Sequence, residues 1–309
     1  MDEILQKAGV DVTEEIRNSL PAPEGIERLY GGKPNIIGLD QCEIFQNNVP
    51  LGEEFISPAG MFNTGTNLLE QMLRKNCILP HREAKYGSLP KDKGIKYQVP
   101  WGKHSPISFR GEHVAPGFEG LNPDFFMAAL VVKDPYTWMD SMCRHKYAAN
   151  WNHFGDQHCP NLVATTDQEK AMNEGKDVVS VNIHYRDTKI TKHTSMAHVW
   201  NDYYSDWMKT DIPKLVVRFE DLLFHAEEVV TKVCECGRGK MRDGPFHYEV
   251  DSAKKGKAHT GSNGLVRSMV KYATVSNRLK SMKPRDLEYA MEHIDKDLMK
   301  LYHYSQPSL

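Results

Sequence analysis

The sequence EFISPAGMFNTGTNLLEQMLRKN, residues 54–76, passes from a short β-type run through a glycine-bearing loop into a helical pattern. Leu69, Met72 and Leu73 recur at helical spacing, and Gly60 and Gly65 punctuate the loop before a helix that opens near Thr66 or Asn67. Backbone N–H groups at such a helix start, with the Thr64 and Thr66 hydroxyls, make a seat for a phosphate- or sulfate-like anion. The plainer reading is a strand-to-helix turn capped by Thr66 or Asn67. A Walker A loop is excluded, because no Lys follows Gly65.

The same alternation continues outward. IKYQV (95–99) reads as a strand; FFMAALVV (125–132) is followed by the helical pattern YTWMDSMCRHKYA, and KLVVRF (214–219) by AEEVVTKVCEC, which Gly237 closes as a C-cap. Strands alternating with helices predict an α/β fold with a parallel sheet flanked by helices, whose ligand loops follow the carboxyl ends of the strands. Residues 284–304 predict one terminal helix, and the polar stretch 150–195 an insertion or helical lid. Residues 1–53, rich in Pro and Gly and without sustained periodicity, read as an acidic arm with one short helix, leaving 54–309 as a single α/β domain.

The chain has 309 residues, 40% hydrophobic and 26% charged, and no apolar run long enough to span a bilayer, so disordered, coiled-coil and membrane-spanning classes are excluded. Net charge is −2 but unevenly placed: residues 1–54 carry eleven Asp/Glu against four Lys/Arg, and residues 251–285 nine Lys/Arg against Asp251. The basic stretch is a solvated face or an anion site. Six scattered cysteines are compatible with all being reduced; their even number also permits pairing, and Cys143 with Cys159 would close a short loop. Neither His153, His158 and Cys159 nor Cys234 and Cys236 has zinc-site spacing, so structural or surface roles are expected and no metal. The absent sequon and signal pattern point to the cytoplasm, with the Golgi lumen as the alternative if an N-terminal anchor was removed.

Several motifs carry a resemblance. The loop at 63–67 resembles the 5′-phosphosulfate loop of the sulfotransferases, P-K-x-G-T-[ST], with Thr64, Gly65 and Thr66 in place and Asn63 where that family has Lys. KDPYTWMDS resembles the 3′-phosphate motif R-[ND]-P-x-D-x-x-x-S, with Lys133 and Ser141 eight residues apart, so that a cation at a strand end and a helix hydroxyl converge on one phosphate. VPWGKHSP resembles the turn that bears the catalytic His, placing His104 and, beside it, Lys103. LVVRFEDLL resembles the family strand V-x-Y-E-D-L with Phe219 for Tyr, and Lys254, Lys255 and Gly256 fall where the family has its C-terminal R-K-G loop.

The resemblance, from about Glu54 to Tyr304 in the expected order, implies a P-loop NTPase-like fold and a sulfotransferase that uses 3′-phosphoadenosine-5′-phosphosulfate (PAPS). It implies His104 as general base, since an imidazole titrates near neutrality. Lys103, Thr64, Thr66 and the Gly65 backbone would stabilise charge on the transferring group, with Asn63 and Asn67 in the cofactor loop. Lys133, Ser141, Lys254, Lys255 and Gly256 would hold the 3′-phosphate. The acceptor is a hydroxyl on a glycan or small molecule; no nucleic-acid partner and no membrane segment are expected. A catalytically silent nucleotide-binding relative is the alternative, followed by a nucleic-acid binder using the basic stretch and, last, a nucleotide kinase.

Overall fold

In the computed structural model, residues 1–87, 94–153, 157–185, 189–251 and 264–307 are described. Among them the strands are β1 (Ile36–Ile37), β2 (Phe55–Gly60), β3 (Cys77–Ile78), β4 (Phe126–Val132), β5 (Ala149–Asn150), β6 (Val181–His184), β7 (Ile190–His193), β8 (Lys214–Arg218) and β9 (Lys240–Met241). The chain divides into two compact units, Met1–Val132 with Asp211–Thr274, and Lys133–Thr210 with Val275–Leu309.

The first unit is mixed α/β, built on a four-stranded sheet of order β1-β8-β4-β2 and flanked by helices. Strand β4 lies between β2 and β8, parallel to both, with Phe55 opposite Phe126 and Ala128 opposite Lys214; β1 adds antiparallel to β8. Every residue of β2, β4 and β8 is buried, which is why FMAALVV and LVV within KLVVRF read as continuous apolar runs. The helices Thr66–Asn76 and Ala226–Cys236 have the bounds that the periodicity predicts. Gly237 caps the second helix without entering the left-handed region. Glycine is needed there because a Cβ would lie 2.3 Å from Ile56 Cγ1.

IKYQV departs from expectation. Only Ile95 bridges β2, at Ile56, with the Ile56 N–H donating to Gly94 O at 3.0 Å and the Lys96 N–H to Ile56 O at 2.9 Å. Pro100 and a turn in which the Gly102 N–H donates to Val99 O then bend the chain away. Residues 1–53 are also more ordered than an arm. They form the helices Asp2–Lys7, Glu14–Ser19, Pro23–Tyr30 and Gln41–Asn48 as well as β1, and they bury Leu5, Leu29, Tyr30 and Phe45. Helices this short carry too few turns for a periodic signal and are held by tertiary bonds. Tyr30 donates to Tyr272 O at 2.8 Å, and Cys42 is disulfide-bonded to Cys236. A second bridge, Cys77–Cys234, lies within the loop that Cys42–Cys236 closes. The outer bridge constrains the unfolded chain by on the order of 5 kcal/mol, and the inner one by less because its loop is already shortened.

In the second unit, β5, β6 and β7 form an antiparallel sheet in the stretch expected to be an insertion or helical lid. Its short strands are masked in sequence by polar residues on their exposed faces. The pairing of Cys143 with Cys159 is formed. The terminal helix is broken into Pro284–His293 and Lys296–Leu301, because Asp295 caps the second piece by accepting from the Asp297 and Leu298 N–H groups. Trp200, Tyr204 and Tyr302 pack edge to face within this unit.

His158, 1% exposed, lies between two carboxylates: its Nδ1 is 2.7 Å from Glu169 Oε1 and its Nε2 2.9 Å from Asp286 Oδ2. Asp286 also accepts from the Leu162 and Val163 N–H groups, and Glu169 from the Thr165 and Thr166 N–H groups in a capping box. Burial pushes the Glu169 carboxyl up, but the hydrogen bonds from His158 and Thr165 outweigh it and hold the group down at about 2. A carboxylate depressed on folding stabilises the fold above its unfolded value of 4.5, and that contribution is lost as pH falls through about 2. Urea unfolding of parent and Glu169→Gln should therefore show a stability difference that is widest above pH 4.5 and closes toward pH 2. A difference independent of pH would mean that the ionised carboxylate is not the cause.

Candidate functional site

The loop after β2 is shaped by two glycines. Gly60 has φ +151, and a Cβ there would lie 2.7 Å from Val131 O and 2.8 Å from Thr64 Oγ1. Gly65, at φ +89, is the N-cap of the helix Thr66–Asn76, and a Cβ there would lie 2.4 Å from Cδ2 of Phe219. Phe219 is itself backed edge-on by Tyr272, with centroids 4.9 Å apart, so the ring has little room to withdraw. Asn63 takes the left-handed region at φ +63, which Asn tolerates better than most side chains. Thr64 is fully buried and its hydroxyl donates to Met61 O at 2.7 Å. That hydroxyl therefore closes the turn, and the N-cap, being Gly65, offers no side chain to the N–H groups at the helix start.

A separate segment brings a base and a cation to this loop. The Gly60 N–H donates to Lys103 O at 3.0 Å, and His104 Nδ1 lies 2.7 Å from Gly60 O. Since a carbonyl only accepts, Nδ1 carries the hydrogen and the lone pair of the neutral ring is on Nε2. Phe62 packs against the imidazole at 4.6 Å. The Lys103 ammonium donates to Asn67 Oδ1 at 2.6 Å, so it sits at the first turn of the loop helix. Lys103, His104, Asn63, Thr64, Gly65, Thr66 and Asn67 are thus brought together within the first unit.

Lys133 and Ser141 meet within the second unit. Lys133 is 1% exposed and donates to Ser141 Oγ at 2.9 Å; Ser141 Oγ donates to Thr137 O at 2.9 Å. The helix Pro135–Arg144 has Pro135 at its start and Asp134 as N-cap, which accepts from the Tyr136 and Thr137 N–H groups. Asp134 is held in turn by Arg278, whose Nε lies 2.8 Å from Oδ2, and the Trp200 indole N–H donates to Lys133 O at 3.0 Å. Arg144 Nη2 also reaches Ser141 Oγ, at 3.2 Å, while its Nη1 pairs with Asp140. Two cations therefore donate to one hydroxyl, one of them already paired with a carboxylate.

Lys254, Lys255 and Gly256 lie outside the described residues. Arg144 and Arg278 are not singled out by any motif. Arg144 follows Ser141 by three residues on a helix, a spacing that places both on one face and was the available signal. Arg278 approaches Asp134 from 144 residues away, and no local pattern announces it. Compared with known proteins, the sequence matches no family model and no curated relative.

Glycine at 65 answers two independent demands, backbone hand and the space taken by Phe219. Gly65→Ala should destabilise the protein by roughly 2 kcal/mol or more, since left-handed strain alone costs about 1–2. Phe219→Ala combined with it should recover part of the loss relative to the sum of the two single changes, as a double-mutant cycle would measure. Strict additivity would mean that the ring and the glycine do not meet.

Proposed function

We propose that this chain is a PAPS-dependent sulfotransferase that moves a sulfuryl group to an acceptor hydroxyl. The observation that carries the reading is the joint placement of Lys103 and His104, the ammonium on Asn67 at the loop helix and the imidazole on the end of β2. A base next to an anion-binding helix start is what transfer to a hydroxyl requires. Lys103 also supplies, from a different segment, the cation missing at Asn63. The parallel β2 and β4, the glycine loop and the helix after it support a P-loop-like arrangement.

The residues present fit such a nucleotide. The start of the helix Thr66–Asn76 behind Gly65, and Lys133 and Arg144 on Ser141, are donors suited to phosphate or sulfate oxygens. The loop at residues 63–67 would take the 5′-phosphosulfate end of the nucleotide. PAPS supplies an activated sulfuryl group whose leaving group is a phosphate. His104, through Nε2, takes the proton of the attacking hydroxyl. Lys103 and the N–H groups at the start of the helix Thr66–Asn76 meet negative charge at the loop.

Three disulfides take up all six cysteines, and bonds of this kind persist in oxidising compartments. This favours a lumenal setting over the cytoplasm. Among the described residues no helix is long and apolar enough to cross a membrane.

Transfer of labelled sulfate from PAPS to a panel of sugars, phenols and alcohols tests the reading. Lys103→Ala and His104→Ala should each lower turnover about a hundredfold or more with nucleotide affinity within a few-fold, and Asn63→Lys should keep or raise activity. A parent that binds the 3′,5′-bisphosphate product and labels no acceptor would instead support the silent-relative reading.

The expected role of Lys133 at the 3′-phosphate is tested by binding alone. Lys133→Ala should weaken the 3′,5′-bisphosphate by roughly 1.5–3 kcal/mol, the range of a charged hydrogen bond, and leave adenosine 5′-phosphosulfate almost unchanged in calorimetry. Equal losses for both nucleotides would remove Lys133 from the 3′-phosphate.

A further inference from the structure

Tyr97 is the exposed aromatic residue beside the candidate base and cation. It is 43% exposed, and the ammonium of Lys103 lies 5.6 Å from its ring centroid. The ring is also fixed in place. Phe118, buried in the cluster with Phe55, Ala115 and Phe126, meets it edge to face at 5.6 Å, and the backbone just before it is bonded to Ile56. Tyr97 therefore presents a rigid apolar face to solvent next to two groups that handle a hydroxyl and an anion. No part of the transfer chemistry derived above uses that face.

A molecule that covers this ring lies beside the Lys103 ammonium, and its shape is constrained accordingly. A single open aromatic face suits a molecule with one apolar side and polar edges, because the other side stays in water. A pyranose has this character: its C–H face covers an aromatic ring, while the hydroxyls around its rim reach the Lys103 ammonium and the imidazole. A phenol is apolar on both faces and gains from two walls; a long-chain alcohol needs an apolar channel. We propose that Tyr97 is the stacking platform for the pyranose ring that carries the acceptor hydroxyl, which makes the acceptor a saccharide. The proposal rests on the sulfuryl-transfer reading but has its own test.

The test uses the whole protein saturated with the 3′,5′-bisphosphate, on an array of galactose-, hexosamine- and uronate-terminated oligosaccharides. Parent protein should be retained, Tyr97→Ala and Tyr97→Leu should bind about tenfold more weakly, and Tyr97→Phe should restore most of the affinity. The Leu variant keeps apolar cover over Phe118, so a folding defect confined to Ala is recognised. Calorimetry with the bisphosphate should give the same affinity for all four proteins within about twofold. In label transfer from PAPS, the acceptor KM of Tyr97→Ala should rise about tenfold while kcat falls by no more than a few-fold.

Unaltered saccharide affinity in Tyr97→Ala and Tyr97→Leu overturns the proposal. So does a parent that neither binds nor labels any saccharide, or that labels phenols or simple alcohols in preference. Tyr97-dependent retention without transfer to any acceptor leaves the platform standing and fails the transfer reading. Saccharide labelling that Tyr97→Ala does not change does the reverse.

Discussion

The last peptide of β2 is the constraint on which the first unit's site depends. Gly60 donates its N–H to Lys103 O, and its carbonyl accepts from His104, so one residue orients both ends of the dipeptide that bears cation and base. The same residue has no room for a side chain between Val131 and Thr64. The strand that ends there is buried throughout and paired along its length with β4, which gives the clamp a rigid base. A His held by its ring nitrogen on a backbone carbonyl keeps one tautomer and one orientation.

The second unit solves a different problem, that of charges inside a core. Lys133, Asp134, Arg278, His158, Glu169 and Asp286 are all buried, and each has charged or hydrogen-bonding partners. Removing one partner of such a set typically costs about 3–5 kcal/mol because the other charge is left without compensation. Asp134 illustrates the economy of the arrangement: it caps the helix that carries Ser141 and Arg144 and at the same time neutralises Arg278. Lys133 and Arg144 both donate to Ser141, and Arg144 is in turn paired with Asp140.

The disulfides bear on the same question of how order is kept. Cys42 and Cys77 are both joined to the end of the helix Ala226–Cys236, so β3 and the N-terminal helix Gln41–Asn48 are tied to one point. Gly239 has no space for a Cβ because Cys234 Sγ and Cys77 Sγ lie 2.5 and 2.6 Å from where it would stand. The close turn after the helix and the bridge therefore require each other.

By itself the sequence determined the elements whose signal is local. Buried parallel strands are apolar along most of their length, so β4 and the Leu215–Val217 run of β8 could be read; Thr66–Asn76 and Ala226–Cys236 are long enough for their periodicity to show. The glycine loop and the eight-residue interval from Lys133 to Ser141 were legible for the same reason, since each lies within one strand-to-helix turn. Only the tertiary structure decided that Lys103 reaches Asn67, that Phe219 fills the space above Gly65, that Arg278 holds Asp134, and that Leu5, Leu29, Tyr30 and Phe45 are buried. These contacts join residues 36 to 154 positions apart, or helices of six to eight residues. Their specificity comes from shape and burial that exist only once the chain has folded, and no periodic or spacing pattern records them.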